Sequence, residues 1–226
     1  MRIQDIIPPS IRKYLLSKHQ QLLWPGAIKE YKNRIEEGKT PSKDLLRKLI
    51  YAWGNQGFSA QTDYLETCIY YTLHSNGLIV ECGSGLSTLL IGFIAKKQGR
   101  EMVSFEHIDF WARKISKELD TYNLINNQLY SRELINYGNY DWYDVNGIEL
   151  GNVGLCICDA PPGNTKGGRR GFFNIFRDNL HSGSIILVDD TVREDEQMMI
   201  QEWQREMQMS VEYKGEFDLH AVIKIK

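Results

Sequence analysis

The chain has 226 residues, with 27 Lys and Arg against 29 Asp and Glu for a formal net charge of −2. Both signs are spread along the sequence, which gives no footing for a nucleic-acid or membrane-surface partner, and no apolar run approaches the roughly 20 residues of a membrane-spanning helix. A chain of this length buries about 70% of the surface that its unfolded form exposes, enough to stand without disulfides or a structural metal.

The first ten residues, "MRIQDIIPPS", carry an acid and two prolines where a signal peptide would hold its apolar core. The four cysteines, Cys68, Cys82, Cys156 and Cys158, sit in apolar segments without CxxC spacing, so reduced core thiols in a cytoplasmic protein are expected. Residues 1–58 are polar and helix-patterned and read as an N-terminal helical extension. In "TPSKDLLRKLIYAW" Thr40 suits a helix cap and Pro41 the first helical position, ahead of an apolar stripe at Leu45, Leu46, Leu49 and Ile50. "WGNQGFS" breaks that pattern, and a second helix is expected from Ser59 as N-cap to about Gly77.

Strand and helix then alternate. "GLIVEC" is a continuous apolar run of the kind covered on both faces. Helix over Ser87–Lys97, strand "EMVSFEH", helix over Phe110–Tyr122 and a weaker strand "NQLYSREL" follow. "VGLCICDAPPG" is a fourth strand, "GFFNIFRDNL" a helix, "GSIILVDDT" a fifth strand and "EDEQMMIQEWQREM" a charged amphipathic helix. "MSVEYKGEFDLHAVIKIK" reads as an antiparallel hairpin around Gly215. The pattern predicts an α/β fold: a doubly wound, mostly parallel seven-stranded sheet with an antiparallel C-terminal hairpin, occupying residues 59–226. Ligands of such sheets lie beyond the carboxyl ends of the strands, so polar residues there are the candidates.

The first strand ends in Glu81-Cys82-Gly83-Ser84-Gly85-Leu86-Ser87. Gly83 and Gly85 permit a tight turn and close approach of backbone amides to a ligand. Thr88 stands where a dinucleotide fingerprint has its third glycine, and no GxxxxGK phosphate loop is present, which disfavours nicotinamide and flavin cofactors. The second strand ends in Phe105-Glu106-His107, and a carboxylate there suits the paired hydroxyls of a ribose.

"VECGSGLST" followed by "VSFEH" resembles motif I and its post-motif in class I S-adenosylmethionine-dependent methyltransferases. "AWGNQGFSA", "ECGSGLSTLL", "YDWYD" and "DAPPGNTKGGRRG" together look like a bacterial subgroup of that superfamily. The resemblance covers Tyr51 to the C-terminus. It implies S-adenosylmethionine as cofactor, with Glu81, Gly83, Ser84, Gly85 and Ser87 around its methionine and sugar and Glu106 on the ribose hydroxyls. His107 and Leu134 are implied beside the adenine, and Gly54 with Asn55 closing over the cofactor, although "WGNQG" also reads as an ordinary interhelical turn. A sulfonium cofactor carries no phosphate and so needs neither a third glycine nor a basic loop.

Three carboxylates end the central strands: Asp159 in "CDAPPG", and Asp189 with Asp190 in "ILVDDT". They read either as ligands of a hard cation such as Mg2+, which would acidify a substrate hydroxyl, or as Asp159 serving the methionine amino group or acting as base while Asp189 and Asp190 cap the next helix. Catechol-type and some sugar O-methyltransferases resemble this layout, with an asparagine typical where Asp190 stands. In "GNTKGGRRG" Lys166, Arg169 and Arg170 either grip an anionic substrate group or belong to a solvated loop. Tyr137, Tyr140, Trp142 and Tyr143 either wall a pocket or pin a surface loop. The expected activity is methylation of an oxygen on a small molecule or glycan. The rivals are an NAD(P)-dependent oxidoreductase and a protein that binds the nucleoside cofactor without transferring methyl.

Overall fold

The computed structural model describes residues 8–55, 59–216 and 218–226. Residues 1–7 of the proline-containing start and residues 56–58 of the "WGNQGFS" turn lie outside them. The chain divides into two compact units, Met1–Thr62 and Asp63–Lys226.

In the first unit, α1 (Pro9–Glu36) packs against α2 (Lys43–Trp53). Proline begins α1, where its missing amide costs no helical hydrogen bond, and Pro25 lies inside the helix. The start of α2 falls two residues beyond the expected Thr40–Pro41 cap. Ser42 is the N-cap instead: its backbone is extended and its hydroxyl accepts the Leu45 amide at 3.3 Å. Gly54 closes the helix at φ +79°. Ser59, expected to cap the next helix, donates its hydroxyl to the Asn55 carbonyl at 2.8 Å, and α3 begins only at Thr62 (Thr62–His74).

The second unit holds a seven-stranded sheet built from β1 (Leu78–Cys82), β2 (Met102–Glu106), β3 (Asn127–Ser131), β6 (Val153–Cys158), β7 (Leu180–Val188), β8 (Met209–Lys214) and β9 (His220–Ile225). Its order is β3-β2-β1-β6-β7-β9-β8. The first five strands in that order run parallel, and β9 and β8 close the edge antiparallel. Intervening helices are α4 (Leu86–Gln98), α5 (Asp109–Thr121), α6 (Gly171–Phe176), continued by a short 3-10 turn over Arg177–Asn179, and α7 (Glu194–Glu206). The doubly wound sheet and terminal hairpin read from the sequence are the ones observed. Two short strands, β4 (Leu134–Asn136) and β5 (Asp141–Tyr143), form a separate antiparallel pair that no alternation pattern announced.

The core follows from the strand composition. Every residue of β2 and β6 is buried, and β1 is buried from Ile79 onward. One face of the sheet, with Cys82, Phe105, Cys158, Ile186 and Val188, packs on Phe172, Phe173 and Phe176 of α6 and on Ile200 and Trp203 of α7. All four cysteines are buried thiols. Parallel registry aligns Cys82 with Phe105 and with Cys158, and Cys158 with Val188. The residues that follow these strand ends therefore share one edge, and the chain reverses its direction of winding between β1 and β6 at that edge.

Candidate functional site

The turn after β1 is built around two buried carboxylates. Glu81 is fully buried and accepts hydroxyls from Ser87 at 2.7 Å, Thr88 at 2.7 Å and Ser104 at 2.9 Å. Burial pushes its carboxyl up to about 7, the three hydrogen bonds opposing that rise. The Thr88 hydroxyl also accepts the Gly85 amide at 2.8 Å, which caps α4. Glu81 and Ser87 thus hold the glycine turn in shape from below. Gly83 has φ +93° and a Cβ there would stand 2.5 Å from the Ala160 Cβ, so both backbone and packing demand glycine. Gly85 differs. Its backbone is extended at φ −177°, which any residue adopts, and a Cβ would meet no protein atom within 4 Å.

Glu106, at the end of β2, is joined to the same turn. One oxygen accepts the amide and hydroxyl of Ser84 at 3.1 and 3.0 Å, and the other accepts the amides of His107 and Ile108 at 2.8 and 2.9 Å. Burial alone would raise this carboxyl, but the hydrogen bonds from His107, Ile108 and Ser84 outweigh it and hold it below the ordinary range. The Trp111 indole donates to the Ser84 carbonyl at 2.6 Å. Thr88, Ser104 and Trp111 were not singled out in the sequence. A hydroxyl pair six and seven residues after a strand acid signals the first, while nothing local signals the other two.

The segment after β3 returns to this corner. The Arg132 amide donates to the Glu106 carbonyl at 2.8 Å, and Leu134 pairs across to Tyr143. The His107 and Tyr143 rings meet edge to face with centroids 6.2 Å apart. Glu106, His107 and Leu134 therefore belong to one neighbourhood, with Tyr143 beneath it. Tyr143 is fully buried, and its hydroxyl has no hydrogen-bond partner among the described residues. Asn55 belongs to the first unit.

At the ends of β6 and β7 the acids surround a cation. Arg169 is 1% exposed and donates to the Asp159 carbonyl at 2.8 Å, to the Asp159 carboxylate at 3.2 Å, to the Asp190 carboxylate at 2.8 Å and to the Asp189 carbonyl. Arg193 approaches Asp190 to 3.0 Å. Asp189 accepts the Asp190 amide on its own carboxylate at 2.8 Å, and Asp190 adopts a left-handed backbone at φ +58°. Burial first, then the Asp189 charge, pushes the Asp159 carboxyl well up, with Arg169 opposing. Asp189 is pushed up to about 6, by burial and then by Asp190. Arg169 pairs with the carboxylates of Asp159 and Asp190, and among the described residues no group of three or more His, Cys, Asp or Glu side chains that could hold a metal ion is found.

Neither a protein-family model nor a curated protein sequence matches the chain. Solved structures do. A methyltransferase from Podospora anserina, bound to S-adenosylhomocysteine, superposes with a TM-score of 0.59 at 16% identity, covering 97% of this chain and 98% of that one. An O-methyltransferase from Bacillus cereus, also with S-adenosylhomocysteine, gives 0.57 at 12% identity over 86% and 96% of the two chains. A methyltransferase from Pyrococcus furiosus gives 0.53 at 17% identity over 81% and 96%. The chain has the class I methyltransferase fold.

Within that fold the three basic side chains of the glycine-rich loop of residues 163–171 have partners in the chain itself, although Gly163, Asn164 and Lys166 are exposed. Lys166 donates to the Gly138 carbonyl at 2.6 Å, and Arg170 forms a forked pair with Glu202, both contacts at 2.9 Å. Arg169 points inward as described. The glycines serve packing. A Cβ at Gly167 would stand 2.5 Å from that of Tyr140, and one at Gly171 would strike the Trp142 ring at 2.5 Å. Trp142 and Tyr143 are fully buried, so of the two readings of the aromatic cluster the surface loop does not hold for them. Tyr137 and Tyr140 stack above it with centroids 5.7 Å apart.

Proposed function

We propose that the protein is an S-adenosylmethionine-dependent methyltransferase acting on an oxygen of a small molecule or sugar. The observation that carries this reading is the pairing of Gly85 with Glu106. Neither backbone strain nor protein packing requires a glycine at residue 85, so close approach of a ligand is the reason left for it. The carboxylate bonded to the adjacent Ser84 suits a ribose, and the turn "CGSGLST" carries no basic residue for a phosphate. The residues thus fit a nucleoside cofactor without phosphates, which S-adenosylmethionine is. S-adenosylhomocysteine in structures of the same fold supports the same choice.

When bound, the cofactor supplies an electrophilic methyl group. The chain's own residues then have two tasks, alignment and proton removal. Gly83, Ser84, Gly85 and Glu106 orient the nucleoside, with His107 and Leu134 flanking its base. Asp159, half-buried at the switch point with a raised carboxyl pKa, accepts the proton that the acceptor hydroxyl loses. Arg169 fixes the direction of that carboxylate.

Calorimetric titration with S-adenosylhomocysteine, in EDTA and then with added magnesium, tests the reading. Micromolar binding that is indifferent to EDTA is expected, followed by transfer of labelled methyl to members of a panel of phenolic and sugar hydroxyls. Absence of binding under both conditions overturns it.

A further inference from the structure

We propose that the N-terminal half of α1 is a docking surface for an anionic lipid bilayer, lying in the headgroup layer with Ile11, Leu15 and Leu22 sunk into it. The inference stands apart from the cofactor reading above.

The balance of charge over the whole chain gave no footing for a membrane surface, but α1 is a local exception. From residue 6 to residue 29 the sequence has no Asp or Glu, while Arg12, Lys13, Lys18 and Lys29 are cations. Arg12, Lys13 and Lys18 have no carboxylate three or four residues away, where a helical ion pair would form. Further along the same helix such pairs are present, Arg34 with Glu30 and Lys32 with Glu36. Arg12 and Lys13 also stand near the helix N-terminus, where the backbone dipole disfavours cations, and Pro8 at the N-cap makes no side-chain hydrogen bond. These charges do nothing for the helix itself.

Packing adds little. His19 reaches the Tyr51 hydroxyl of α2 at 2.8 Å, but residues 8–19 are all exposed, and Gln20 is the first buried residue of α1. About three turns of helix without a packed face are marginal in water. This stretch nevertheless carries large apolar side chains into solvent: Ile11, Tyr14, Leu15 and Leu22 are 49, 61, 52 and 79% exposed. Spacings of four and eleven residues put Ile11, Leu15 and Leu22 on one stripe, opposite the buried Gln20 and Ala27. Tyr14 and Lys18 run along one margin of the stripe, with the ammonium 5.7 Å from the ring centroid, and Arg12 runs along the other. A contiguous exposed apolar patch of this kind marks an interaction site.

The charges select the occupant. A second copy of the chain would set the same cations against one another. An anionic headgroup layer neutralises them and takes up the apolar stripe between the two cationic margins. Among the described residues no helix is long and apolar enough to cross a membrane, so α1 lies on the bilayer and does not span it.

Co-sedimentation of the full chain with vesicles tests the proposal. Partitioning onto phosphatidylcholine vesicles containing about one-third phosphatidylserine should exceed that onto pure phosphatidylcholine by about tenfold or more, and raising salt from about 0.1 to about 0.5 M should remove most of the excess. Replacing Arg12, Lys13 and Lys18 together by Gln should bring the two kinds of vesicle to the same level. Leu22→Ser, at the most exposed apolar position, should weaken binding about three- to tenfold. These side chains are exposed, so both variants should keep the wild-type melting temperature; should the triple variant fail to fold, the salt series on wild type carries the same test. Equal partitioning onto both kinds of vesicle, or none onto either, overturns the proposal. In the second case a dimer that Leu22→Ser dissolves assigns the stripe to a second copy, and a monomer assigns it to an acidic protein.

Discussion

At the ends of β1 and β2 buried carboxylates are held by hydroxyls and backbone amides, whereas at the ends of β6 and β7 two half-buried carboxylates are gathered around a single buried guanidinium. The two corners share one sheet edge, but Glu81 and Glu106 are almost fully buried while Asp159 and Asp190 are partly exposed, and the corners answer the cost of desolvating charge differently. Neutral donors can be exchanged one at a time for a ligand's hydroxyls with little change in net charge. A buried arginine cannot leave without stranding two carboxylates. On the proposed function the first corner is the one suited to ligand exchange, and the second is the frame that keeps Asp159 in position.

The largest expected effect falls on the rigid corner. Arg169→Met removes the charge that Asp159 and Asp190 share and should cost about 3–5 kcal/mol of stability, read from urea unfolding. A loss below about 1 kcal/mol would erase the contrast between the corners. The exchangeable corner should show itself in pH dependence. With its carboxyl at about 7 in the folded protein against the ordinary 4.5, Glu81 holds a proton between those pH values that the unfolded chain has released. Its contribution to stability is complete below pH 4.5 and falls as pH rises through 7, by about 3 kcal/mol. Glu81→Gln abolishes this component, so the stability difference between mutant and wild type should move in the mutant's favour by that amount across the window. A pH-independent difference would contradict it.

Within the glycine turn the two glycines separate packing from binding. Gly83→Ala, strained at φ +93° and pressed on Ala160, should lose roughly 1–3 kcal/mol of stability. Gly85→Ala should keep its melting temperature and lose affinity for S-adenosylhomocysteine. The reverse pattern would dismiss Gly85 as a contact. The smallest effect is expected at the surface of the rigid corner, where Arg170→Ala breaks a partly exposed pair with Glu202 and should change stability by less than about 1 kcal/mol.

The sheet was legible because its strands are continuous apolar runs, and the turn chemistry because glycine and a strand-terminal acid carry their meaning locally. What escaped depends on distant partners. β4 and β5 have three residues each, too few for any period to appear. The basic loop resembled an anion grip because composition records three cations but not that Glu202, Gly138 and the strand-end carbonyls receive them. The sequence leaves open whether Trp142 lies inside or at the surface, because the glycine it rests on lies 29 positions further along the chain. The resemblance of "ECGSGLSTLL" to methyltransferase motif I did name the fold that the structure shows.

The terminal hairpin has a bearing on the order in which the polypeptide can assemble. β9 lies between β7 and β8, so residues 220–225 supply the ladder that joins residues 209–214 to the rest of the sheet. During synthesis β8 leaves the ribosome first and waits with no strand to pair with, while β7 offers an uncovered edge. Unpaired edges of this kind are templates for pairing with other chains. A nascent chain stalled before residue 220 should therefore be sticky even though residues 78–134, which form the turns after β1 and β2, have already emerged.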